Sequence, residues 1–160
     1  MPHITIEYII LLPALILQIF LFPMTVNWLM NTWVNSRRTL TLQNAATTLG
    51  SVVQQIYFSL NHNTMPAENV SYSTGLPPLI ENTVYTANAT LSAVAYNGPN
   101  SNTYLQLTMK LVGTSDSATT GVVLGSNALW QQSTFVSNSV NACINAQKFP
   151  NGTILLWFAG

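Results

Sequence analysis

Tyr8-Ile9-Ile10-Leu11-Leu12-Pro13-Ala14-Leu15-Ile16-Leu17-Gln18-Ile19-Phe20-Leu21-Phe22-Pro23-Met24, headed by Glu7 and followed by no charge until Arg37, decides how this chain is built. As a helix, Tyr8 to Met30 rises roughly 34 Å, enough to cross the hydrocarbon of a bilayer. Such a segment is apolar all round and needs lipid or other helices on every face. A carboxylate at its head is costly in lipid unless another group pairs with it. Pro13 and Pro23 each remove a backbone donor, so kinks are expected at 9–13 and 19–23. Gln18 and Asn27 are amides in an apolar setting, suited either to local hydrogen bonds or to contacts between helices.

Helical spacing continues past Arg37-Arg38. Leu40, Leu42, Ala45, Ala46, Leu49, Val52, Val53, Ile56, Tyr57 and Leu60 recur at intervals of three and four, the mark of an amphipathic helix. Thr41, Gln43, Asn44, Thr47, Thr48, Ser51, Gln54, Gln55 and Ser59 fill the other face. The spacing predicts one helix over about 4–61, apolar over 8–34 and amphipathic over 38–61. Asn61-His62-Asn63-Thr64-Met65-Pro66 punctuates its end. The chain then divides into a helix, 1–62, and a β-rich head, 63–160. The helix is expected to be retained in the working protein, because no basic residue precedes the apolar run and no small-residue cleavage site follows it.

Beyond a loop through Gly75-Leu76-Pro77-Pro78 the period changes to two. Tyr85, Ala87, Ala89, Leu91, Ala93 and Ala95 alternate with polar residues over 84–96, and Leu105, Leu107, Met109 and Leu111 do so over 103–112. Asn97-Gly98-Pro99-Asn100-Ser101-Asn102 between them is turn chemistry, so a hairpin is expected. Gly113 to Thr120 reads as a further turn, Gly121–Leu124 and Ser133–Ser137 as short strands. A last hairpin over 140–149 and 153–158 turns at Pro150-Asn151-Gly152. Ile154-Leu155-Leu156-Trp157-Phe158 reads as a strand covered on both faces. Six or seven strands and a long helix predict an α+β chain: one very long N-terminal helix followed by a small antiparallel β-sandwich of immunoglobulin-like kind, or a sheet wrapped on the helix.

Charged residues are 5% of the 160 and the net charge is zero, so the head stays soluble through hydroxyls and amides. Four basic residues, Arg37, Arg38, Lys110 and Lys148, form no basic patch, which argues against nucleic acid. His3 and His62 stand about 88 Å apart on a straight helix and share no metal or relay within one chain. Glu7, Glu68, Glu81 and Asp116 are scattered, with no acid/base pair, Cys/His ligand set, phosphate loop or nucleophile elbow. The reading is of a protein that is not an enzyme and holds no cofactor or metal. Cys143, alone, forms no internal disulfide; it is expected to face away from the apolar side of its strand, as a half-buried residue or an intermolecular thiol. Asn69-Val-Ser, Asn88-Ala-Thr and Asn151-Gly-Thr are glycosylation sequons, and Asn88 and Asn151 are expected to face outward.

His3-Ile4-Thr5-Ile6-Glu7-Tyr8-Ile9-Ile10-Leu11 is similar to the short motif of one class of archaeal prepilins, with Thr5, Glu7 and Leu11 matching and His3 where that class usually has Gln. With the long helix and β head, the chain resembles the archaeal type IV pilins; the motif covers the first dozen residues and the rest agrees in architecture alone. The resemblance implies a subunit of an extracellular helical filament for surface attachment, membrane-embedded before assembly and then polymerised with copies of itself. Glu7, Tyr8, Leu11, Pro13, Leu17, Phe20 and Pro23 would line the filament core. Glu7 would be neutralised by the N-terminal amine of an adjacent subunit, which sets axial register. Two other readings stay open: a single-pass anchored ectodomain or minor pseudopilin that binds a ligand without polymerising, and an archaellum-type motility subunit. Basic residues prefer the cytoplasmic side, so Arg37-Arg38 beside an external head is unusual for a simple anchor.

Overall fold

The computed structural model describes residues 3–93 and 103–160, and of residues 3–8, 10 and 93 the backbone alone. Among the described residues one helix, α1 (His3–Leu60), precedes eight strands: β1 (Asn69–Ser73), β2 (Tyr85–Ala93), β3 (Thr103–Leu111), β4 (Ser117–Leu124), β5 (Ala128–Trp130), β6 (Thr134–Val136), β7 (Cys143–Lys148) and β8 (Ile154–Ala159). The chain forms two compact units, 1–37 and 38–160, so the head's unit begins inside α1 rather than after it.

In the second unit the strands make two sheets, in the orders β1-β7-β8-β5 and β4-β3-β2-β6. The expected α+β plan stands: a long helix and a two-sheet head. The pairings are antiparallel except β5 with β8, which is parallel. The β2–β3 hairpin pairs from Tyr85↔Leu111 to Ala93↔Thr103. Its expected turn, Asn97 to Asn102, lies outside the described residues. Along β3, Leu105, Leu107, Met109 and Leu111 are buried while Tyr104, Gln106, Thr108 and Lys110 are exposed, as a period of two requires.

The inward residues of both sheets share one core with Leu42, Ala45, Ala46, Leu49, Val53, Ile56, Tyr57 and Leu60 of α1. Leu40 is not among them: it is 66% exposed, because two residues of helix turn it about 200° from Leu42. The rest of the expected stripe is inside, with Val52 partly so. On one side the helix meets β4. A Cβ on Gly50 would lie 2.8 Å from Val122 Cγ2 and 3.3 Å from Thr120 Cγ2, so glycine permits this approach. Gln43 Nε2 donates to the Thr119 carbonyl at 3.4 Å and Gln54 Nε2 to the Val123 carbonyl at 3.2 Å, covering a sheet edge that would otherwise be open. On its other side Val52, Ile56 and Leu60 line a groove with Val70 and Tyr72 of β1. The helix thus fills the mouth between the β4 and β1 edges.

Polar locks hold its end. Tyr57 Oη donates to Asn127 Oδ1 at 2.5 Å, and Asn127 Nδ2 donates to Asn61 Oδ1 at 2.8 Å and the Gly152 carbonyl at 2.7 Å. Lys148 Nζ donates to the His62 and Met65 carbonyls at 2.9 and 2.8 Å, a cation where the helix dipole is negative. Ser137 Oγ, buried, accepts from the Tyr85 amide and donates to the Pro78 carbonyl.

Four details differ from the sequence reading. Strand β4 starts at Ser117, so the turn after β3 is shorter than 113–120. Strands β1 and β5 fall where the sequence reading places no strand. Val140 is fully exposed and precedes β7. In β8 only Ile154, Leu156 and Phe158 are fully buried; Leu155 and Trp157 are half-buried on the outer face, so the apolar run is not covered on both sides.

Leu49→Ala is expected to lower stability by about 2–5 kcal/mol, and Leu40→Ala by less than about 0.5 kcal/mol, in denaturant unfolding of the detergent-solubilised chain. Burial pushes the Tyr85 hydroxyl up to about 12 from 10.0. The Tyr57 hydroxyl is raised too, by burial, with a Gly125 backbone hydrogen bond pulling the other way. Unfolded tyrosines ionise first, so stability should hold below about pH 9 and fall between about 10 and 12. Tyr85→Phe should flatten that fall in pH-dependent melting.

Candidate assembly surface

The first unit presents an uncovered apolar rod. From Leu11 to Trp33 its large apolar side chains range from 38% exposed at Val26 to 73% at Phe20 and Met24. By length and composition α1 qualifies as one membrane-crossing helix. Isolated exposed leucines are ordinary on a protein surface, but a contiguous face of this size marks an interaction with lipid or protein. Of the residues expected to line an assembly core, Leu11, Pro13, Leu17, Phe20 and Pro23 are all exposed on this rod. Glu7 and Tyr8 lie on the described helix backbone, but their side chains lie outside the described residues.

Local chemistry makes the rod suitable for a dry setting. The helix runs through Pro13 and Pro23 without a break, although the Ile9 and Ile19 carbonyls lose their usual donors. Thr25 Oγ1 donates to the Phe22 carbonyl at 2.9 Å, Thr32 Oγ1 to Trp28 at 2.8 Å and Ser36 Oγ to Thr32 at 2.8 Å. Each hydroxyl is thereby satisfied within the helix and carries little cost into an apolar environment. Gln18 and Asn27 are exposed.

The two arginines divide their roles. Arg37 Cζ lies 5.8 Å from the centroid of the Trp33 ring, within the first unit. Arg38, in the second unit, pairs through Nε with Glu81 Oε2 at 2.8 Å. Glu81 and Asn82 both have positive φ, 47° and 62°, in the tight turn closed by Ile80 and Thr83. Glutamate is unfavourable there, and the Arg38 pair helps hold it. Sequence reasoning treated Arg37-Arg38 as one basic pair and Trp28 and Trp33 as the tail of an apolar run. The missed signal was tryptophan at that run's end, followed by amides and a cation.

The head offers no comparable constellation. Among the described residues no group of three His, Cys, Asp or Glu is placed to hold a metal. His62 Nδ1 pairs with Thr64 Oγ1 at 2.9 Å. Cys143 is half-buried on the outer face of its sheet, as its strand position predicts, and accepts from Ser71 Oγ at 3.3 Å. The sequon asparagines Asn69, Asn88 and Asn151 are all exposed. Asn88 Oδ1 accepts from Thr134 Oγ1 at 2.7 Å, and Asn151 Oδ1 accepts from the Thr153 amide at 3.0 Å.

No protein-family model, curated protein or solved structure matches the chain.

Residues 38–160, which carry the whole described head core, are expected to stay monodisperse in buffer, whereas the full chain should require detergent or lipid. Size-exclusion chromatography of both, with circular dichroism as a check on folding, measures this.

Proposed function

We propose that this chain is a structural, non-enzymatic subunit of an extracellular helical filament of the type IV pilus kind, used for surface attachment. The observation that carries the reading is the exposed apolar rod continuous with a folded, neutral head. In a bilayer the rod has lipid on every face. On assembly it exchanges lipid for copies of itself, and close side-chain packing between helices supplies the attraction, because lipid tails are as apolar as leucine. Head-to-tail contacts that do not close generate a filament rather than a ring. Glu7 is neutralised by the N-terminal amine of a neighbour, which fixes axial register at the cost of desolvating both charges. The heads form a hydroxyl-rich sheath, with glycans on Asn69, Asn88 or Asn151.

The resemblance of the first dozen residues to archaeal type IV pilins supports this reading. A single-pass anchor is the competing reading, since α1 is long and apolar enough to cross a membrane. A motility filament subunit shares the same architecture.

Electron microscopy of sheared extracellular material is expected to show filaments containing this chain. Recovery of the chain only in washed membranes would favour the anchor. Glu7→Ala is expected to reduce filament yield while leaving the head's melting temperature unchanged; wild-type yield would remove Glu7 from the mechanism.

A further inference from the structure

We propose that Trp28, Trp33 and Arg37 form a collar that binds the headgroup layer of a phospholipid bilayer, with Arg37 on lipid phosphate, and so confines the hydrocarbon-spanning segment to about 8–28. This rests on the membrane-embedded precursor stage of the reading above.

Three observations place the collar. Polarity changes abruptly along the rod: from Tyr8 to Val26 the polar side chains are Gln18 and Thr25, whereas Asn27, Asn31, Thr32, Asn35 and Ser36 follow in quick succession. Trp28 and Trp33 stand at that change, 68% and 64% exposed, and Arg37 stacks over Trp33 at 5.8 Å. Indoles prefer the membrane–water boundary, where a large ring meets a polar edge, and a neighbouring guanidinium reaches phosphate oxygens with several donors.

Length supplies the third. Tyr8 and Trp28 are twenty positions apart, about 30 Å of helix, and the hydrocarbon layer is about 30 Å thick. Both ends of that span therefore carry an aromatic residue of the kind that favours boundaries. Trp33 lies about 7.5 Å beyond Trp28, close to the depth of one headgroup layer, and Arg37 follows at the next turn. The same frame puts position 7 at the opposite boundary, where a carboxylate keeps its hydration. Desolvation of that charge is then deferred to assembly.

The test is depth measurement on the full chain in phosphatidylcholine/phosphatidylglycerol vesicles, using lipids brominated at shallow or deep acyl positions. In a Trp130→Phe, Trp157→Phe background, Trp33→Phe leaves Trp28 as reporter and Trp28→Phe leaves Trp33. Trp28 is expected to be quenched more by shallow than by deep bromines, and Trp33 less than Trp28 by either. Arg37→Leu should shift Trp33 toward stronger quenching. Trp28 quenched most by the deep label, or Trp33 unmoved by Arg37→Leu, overturns the collar. Should the head substitutions unfold the protein, a Cys143→Ser background with Val26→Cys or Asn31→Cys reads the same boundary. A water-soluble maleimide is expected to label position 31 and spare position 26; equal labelling overturns the proposal. A chain that sits at this depth but never forms filaments leaves the collar standing and removes the polymer reading. Filaments from a chain whose Trp28 lies at mid-bilayer do the reverse.

Discussion

The head depends on the burial of one helical seam. Leu42, Ala46, Leu49, Val53, Tyr57 and Leu60 occupy the mouth between two sheets whose edge strands, β4 and β1, do not meet each other. Remove that seam and the inward faces of β3 and β7 open to water on one side. A head this small has little core to lose. The polar contacts are subordinate to it. Gln43 and Gln54 close hydrogen bonds along β4 only because Gly50 lets the helix approach. The Tyr57–Asn127–Asn61 lock aligns a helix that packing has already placed.

The same helix carries two different surfaces, and the sequence separates them cleanly. From Leu11 to Val26 the rod is apolar around nearly all of its circumference and uncovered; after Arg38 it is apolar along one stripe, and that stripe is covered apart from Leu40. No linker intervenes. The arginines at the junction are each drawn to a different unit, Arg37 to Trp33 and Arg38 to Glu81. A single element therefore satisfies its own head while leaving the other half in want of an apolar environment.

Much of this was legible in the residues. A stripe at intervals of three and four foretold the seam, with Leu40 the one member misplaced by counting hydrophobicity rather than angle. Strict alternation flanking Asn97-Gly98-Pro99 foretold β2 and β3. What escaped was short or non-local. Strand β1 turns only Val70 inward as a large apolar residue, β4 begins with Ser117-Ala118-Thr119, which is indistinguishable from turn text, and β5 has three residues. Its parallel pairing with β8 joins segments some 26 positions apart, which no local period records. The β8 run was read as doubly covered because composition alone cannot tell a half-buried tryptophan from a buried one. On the exposed rod the apolar residues could be named in advance; the partition of the arginines could not, since it depends on where Glu81 lies in space.

Continuity of α1 from rod into head has a mechanical corollary. The helix passes from residue 37 to residue 38 without interruption, so no slack segment separates the two units. Within the second unit, tension along residues 42–60 acts parallel to the seam, so the contacts from Leu42 to Leu60 are sheared together instead of being peeled singly. Rupture then demands the simultaneous failure of many small attractions.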